Sequence, residues 1–157
     1  MATTLTLNVK RQFDGRYTSS ADLTTPVEEI GLKYTQAYAA GEWIAFTDQA
    51  SSGVPISIDL NTLTNAFGQS INLATVYELW VHNKSTTSGE QLTVAGNFLD
   101  VLMGGHTDAP VIDPNGWWGG SSPVDGFTVT NTTADTLTFD SGTDTISADI
   151  YILGATS

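Results

Sequence analysis

Basic residues are nearly missing from this chain. Five Lys and Arg stand against 17 Asp and Glu in 157 residues, a formal net charge of −12. None of the five lies beyond Lys84, whereas nine carboxylates do: Glu90, Asp100, Asp108, Asp113, Asp125, Asp135, Asp140, Asp144 and Asp149. A surface this negative repels phosphate backbones and anionic headgroups, which argues against nucleic-acid and membrane-surface roles. Cysteine is absent altogether, so disulfides, thiolate metal sites and thiol nucleophiles fall away together. No apolar run reaches the ~18 residues of a membrane span, and the opening MATTLTLNVKRQF has no apolar stretch such as a secretory signal uses.

What is present favours strands. Thr occurs 24 times, and Val, Ile, Tyr, Phe and Trp fill the apolar role, with 15 Gly and five Pro for turns. β-Branched and aromatic residues suit a pleated, half-buried surface. The alternation of Leu5, Leu7 and Val9 predicts one strand, and that of Ile30, Leu32 and Tyr34 another. Trp43 to Thr47 and Val54 to Leu60 follow, parted by Ser51-Ser52-Gly53. Leu60, Leu63 and Phe67 stand at helical intervals, which predicts one or two helical turns over 59–67, capped by Asp59 or Asn61. Ile71 to Asn83 reads as the central strand, with Ile71, Leu73, Tyr77, Leu79 and Val81 on one face and Ala74, Val76, Trp80 and His82 on the other. Asp113-Pro-Asn-Gly116 is a turn sequence. Val124 to Thr130, Asp135 to Asp140 and Thr145 to Leu153 complete the series. The expectation is an all-β chain: one antiparallel β-sandwich of jelly-roll type over 1–157, with about eight to ten strands.

Catalytic chemistry finds little to work with. His82 sits beside Trp80 on the central strand, where a packed or hydrogen-bonded imidazole is expected. His106 lies in a Gly104-Gly-His-Thr-Asp108 turn, but no Gly-x-Ser-x-Gly elbow accompanies it. Asp135, Asp140 and Asp144 invite the thought of calcium at one end of the sandwich, yet no Asp-x-Asp-x-Asp-Gly loop is present and aspartates also form turns. No catalytic residue, metal or cofactor is therefore assigned. Asn83-Lys84-Ser85 and Asn131-Thr132-Thr133 match glycosylation sequons, as coincidences of a Thr-rich chain.

Trp117-Trp118, framed by glycines, is more telling. Neighbours in extended chain point to opposite sides. If one indole enters the core, the other faces solvent, a ligand or a partner, unless a loop covers both. Lys10, Arg11 and Arg16 crowd the first 16 residues, which form either a contact arm or simply the first strand.

Five segments share the rhythm of a known class: Leu79-Trp-Val-His-Asn83, Leu92-Thr-Val-Ala-Gly96, the turn at Pro114 to Gly116, Ala134-Asp-Thr-Leu137 and Ala148-Asp-Ile-Tyr-Ile-Leu-Gly154. Over residues 54 to 154 the chain resembles small virion structural proteins of tailed bacteriophages, the type that decorates or cements the capsid. The resemblance implies a jelly roll or sandwich acting as a homo-oligomer, with a trimer the expected form, on a shell of major capsid protein. It implies a product made in the host cytoplasm and located on the virion surface. Interface roles are then expected for Trp117 or Trp118 and for Lys10, Arg11 and Arg16. The alternatives are a tail- or fibre-associated glycan-binding module built on Trp117 or Trp118, and a hydrolase using His106 or a carboxylate pair.

Overall fold

A computed structural model describes the backbone of residues 6–18, 27–39, 42–64, 69–105 and 108–156, and side chains within these from Ile44 onward. The described fold is all-β and antiparallel with one short helix. Where the sequence suggests one body, the backbone divides into two compact units, 1–40 and 41–157.

The first unit is a ribbon of β1 (Thr6–Thr18) and β2 (Val27–Ala39), paired from Thr6 opposite Ala39 to Thr18 opposite Val27. Opposed residues share a face of a ladder. The register therefore groups positions 7, 9, 11, 13, 15 and 17 with 28, 30, 32, 34, 36 and 38, where apolar residues and tyrosine predominate and Arg11, Glu28 and Gln36 interrupt them. Lys10 and Arg16 fall on the opposite face together with Lys33, and Arg16 stands opposite Glu29. Arg11 does not join them.

The second unit comprises β3 (Glu42–Ala50), β4 (Ile56–Asp59), β5 (Leu63–Thr64), β6 (Ser70–Ile71), β7 (Leu73–Asn83), β8 (Leu92–Ala95), α1 (Leu99–Met103), β9 (Val111–Ile112), β10 (Trp117–Ser121), β11 (Phe127–Thr128), β12 (Thr136–Asp140) and β13 (Ile146–Thr156). One sheet runs β10-β7-β13-β3, with β11 also on β7, and a second runs β4-β12-β8-β9. β5 and β6 make a small pair of their own. The alternation in β12 and β13 explains the core: Leu137 and Phe139, and Ile146, Ala148, Ile150 and Ile152, are buried while the residues between them are not fully covered. These side chains join Ile56, Ile58, Leu92 and Val94 in one hydrophobic cluster fed by both sheets. Each fully buried Ile, Leu or Phe contributes roughly 1.5–3 kcal/mol.

Three expectations need correction. Residues 59–64 are not helical: Asp59 Oδ1 accepts the Asn61 N–H at 2.8 Å, a side-chain turn, and Leu63–Thr64 then pair with Ser70–Ile71. Leu60 and Leu63 are both buried, but a turn followed by a strand satisfies that spacing as well as a helix does. The expected strand Val124–Thr130 shrinks to Phe127–Thr128, with Val124 84% exposed in a turn. The faces of the central strand are also reassigned. Pairing with β13 skips Tyr77 and Ala74, so β7 carries two extra residues. Each bulge shifts the two-residue phase by one. The buried apolar positions become Leu73, Val76, Leu79 and Val81, the polar Glu78 and Asn83 are buried too, and Tyr77 is only half-buried. β7 is flanked by β10 and β13, as a central strand is. Among the described residues there are thirteen strands, more than the expected eight to ten, because two-residue ladders carry no alternation to read.

Candidate functional site

The Trp117-Trp118 pair opens β10, reached through the Asp113–Gly116 turn. The Gly116 N–H donates to the Asp113 carbonyl at 2.8 Å, and Asn115 takes a left-handed φ of 57°. β10 lies antiparallel on β7, Trp117 opposite His82 and Trp118 opposite Val81. Val81 is buried, so Trp118 turns inward and meets Phe139 edge to face at 6.3 Å between ring centroids. Trp117 points the other way and is 56% exposed. Gly119 makes the close pairing possible: a Cβ there would stand 2.0 Å from the Leu79 carbonyl oxygen.

Trp117 belongs to a row that crosses the whole sheet, Trp117–His82–Asp149–Thr47. Its indole lies nearly parallel to the His82 imidazole, 4.4 Å between centroids and 12° between planes. The Tyr151 ring follows at 5.9 Å and 27°. His82 Nε2 and Asn115 Oδ1 are 3.2 Å apart. Asp149 accepts a hydrogen bond from Thr47 Oγ1 at 2.5 Å, and Lys84 Nζ stands 3.2 Å from the same carboxylate oxygen. The Thr47 hydroxyl, and after it the Lys84 ammonium, hold the Asp149 carboxyl below the ordinary value of 3.8. An aromatic stack with a charged, hydrogen-bonded border can hold a flat ligand.

A second polar cluster is structural. Asp135 is 5% exposed. Its carboxylate accepts from the Thr132 N–H at 2.5 Å, Asn97 Nδ2 at 3.1 Å and Asn61 Nδ2 at 3.2 Å. The Asn97 Oδ1 in turn accepts from the N–H groups of Asp135 and Thr136 and from Thr136 Oγ1. Three segments are tied together. Asp135 precedes β12 and Asp140 ends it, so the imagined gathering of Asp135, Asp140 and Asp144 is separated by a strand. Among the described residues no three metal-ligating groups converge.

Asn83 is fully buried. Its Nδ2 donates to the carbonyls of Glu90 and Ile112, and its Oδ1 accepts the Ser85 N–H. That sequon asparagine is part of the framework. His106 lies outside the described residues. Lys10, Arg11 and Arg16 lie on β1, in the first unit. The sequence reading missed Asp149, Tyr151 and Asn115. The outward parity of Asp149 and Tyr151 was available from the buried isoleucines between which they alternate; their placement beside Trp117 depends on pairing between distant strands. Comparison with family models, with characterised proteins and with solved structures returns no match, and the chain's own geometry carries the reading of the site.

Proposed function

We propose that this chain is a non-enzymatic structural subunit of a tailed-phage virion that decorates or cements the capsid surface. Charge segregation is the observation that carries it. Residues 1–40 hold four cations and four carboxylates, whereas 41–157 hold Lys84 alone against thirteen carboxylates. A body that negative keeps like bodies apart, and a subunit on an acidic shell turns it to solvent and makes contact through its electrically balanced part. The ribbon with Lys10, Arg11 and Arg16 is that part, so the contact extends beyond the first 16 residues to the whole β1–β2 hairpin.

Strand pairing supports a jelly roll. The antiparallel partners are nested, β3 with β13, β4 with β12, β7 with β10 and β8 with β9. That is the order a long hairpin gives when it is rolled into two sheets, an architecture found in viral capsid and lectin domains. A homotrimer gives the repeated weak contacts through which cementing works. The test is binding to pre-assembled, empty capsid shells of tailed phages. Saturable binding that weakens when Lys10, Arg11 and Arg16 are all changed to Gln supports the reading. Shells left bare, or a triple variant that saturates them as well as wild type at low and moderate salt, reject it. A second reading, adhesion to glycans, is favoured by the exposed ring of Trp117.

A further inference from the structure

The outer face of the β10-β7-β13 sheet carries an aromatic surface of unusual posture. Neighbouring strands stand about 4.8 Å apart, so β10 and β13 are about 10 Å from each other with β7 between. The Trp117 ring, rooted on β10, nevertheless comes within 5.9 Å of Tyr151 on β13 and stacks on His82 of β7. The indole therefore lies along the sheet across β7, one ring face backed by the imidazole. The next residue of β10 on that side is Gly119, which has no side chain to shield the ring edge. Asn115 Oδ1 lies 3.2 Å from His82 Nε2, and Asp149, 4.0 Å from His82 Nδ1, carries Lys84 beside the stack.

We infer that Trp117, backed by His82 and Tyr151 and bordered by Asn115, Asp149 and Lys84, is a binding platform for a neutral pyranose whose hydroxyls are equatorial, as in β-linked glucose or N-acetylglucosamine polymers. Such a sugar has two flat faces of axial C–H bonds and a belt of hydroxyls, the counterpart of an apolar ring with hydrogen-bonding neighbours. C–H bonds pack on the indole face, and the hydroxyl belt meets the Asn115 amide, the Asp149 carboxylate and the Lys84 ammonium. Protein hot spots differ: their tryptophans fill desolvated pockets and charged residues are depleted around them. Uronic, sialylated or sulfated sugars meet the repulsion of thirteen carboxylates with one lysine in this unit. This deepens the adhesive reading and is independent of how the subunit sits on a shell.

The experiment titrates cellohexaose and chitohexaose into the full chain and follows the indole N–H resonances, with the Trp117 signal assigned from Trp117→Phe. The expected result is a saturating shift of the Trp117 signal at millimolar sugar or below, a loss of affinity of at least about tenfold in Trp117→Ala, and a several-fold loss in Asn115→Ala. Oligogalacturonate is expected to bind more weakly. No shift with either neutral hexamer up to about 10 mM overturns the inference, as does full binding by Trp117→Ala. A Trp117 shift that follows protein concentration without sugar assigns the ring to a subunit interface and also overturns it. Trp117→Ala saturating empty shells like wild type leaves the decoration reading intact, so the two failures are distinguishable.

Discussion

Asn97 and Asp135 hold each other reciprocally across the end of the β4-β12-β8-β9 sheet. The Asn97 amide donates to Asp135 Oδ1 at 3.1 Å, and its oxygen accepts the Asp135 backbone N–H at 2.8 Å. A carboxylate hidden from solvent in this way is stable as an anion because donors surround it. The Thr132 N–H leads, Asn97 follows, and together with Asn61 they outweigh burial, so the Asp135 carboxyl sits below its ordinary 3.8.

That lowering makes the fold acid-sensitive at this point. The folded form binds the proton less readily than the unfolded form, so the stabilisation is complete above 3.8 and is lost as pH falls through the lower folded-state value. Asp135→Asn is expected to be less stable than wild type at pH 7, with a gap that narrows toward pH 3. Urea midpoints at the two pH values check it, and a gap of constant size defeats it.

The two tryptophans are expected to separate cleanly. Trp118→Ala removes a ring packed on Phe139 and the core, at a cost of about 2–4 kcal/mol. Trp117→Ala forfeits only surface stacking, about 1 kcal/mol or less. Chemical denaturation of both variants decides it, and equal losses would mean that the inward and outward assignments are wrong.

Gly119→Ala tests the β10–β7 pairing. The new methyl would meet the Leu79 carbonyl oxygen at 2.0 Å, a backbone atom that cannot swing aside. Destabilisation of about 2 kcal/mol or more is expected, with faster amide exchange over Trp117–Ser121. An unperturbed exchange pattern would count against the register.

Asn83→Ala strips hydrogen bonds from the Glu90 and Ile112 carbonyls and from the Ser85 N–H in a buried setting. A loss of about 2–3 kcal/mol is expected. In a glycosylating host Asn83 is expected to stay unmodified, since its amide is fully buried; mass spectrometry of secreted protein reads this directly.

The sequence by itself determined the all-β class, the inward residues of β12 and β13, the Asp113–Gly116 turn and the exclusion of disulfides and thiol chemistry that follows from missing cysteine. These are local properties: a two-residue period, a proline φ, a composition. It also implied that only one ring of Trp117-Trp118 could face inward if the segment were extended. Tertiary structure decided the rest. The bulges at Ala74 and Tyr77 moved Val76 into the core, because a strand's phase is set by its partner β13 and not by its own letters. Asn97 and Asp135 are 38 residues apart, and Trp117 reaches His82 and Tyr151 through three separate strands. Such neighbours are chosen by which distant segments pack together, and that choice rests on long-range burial and on loop closure, which a local pattern does not record.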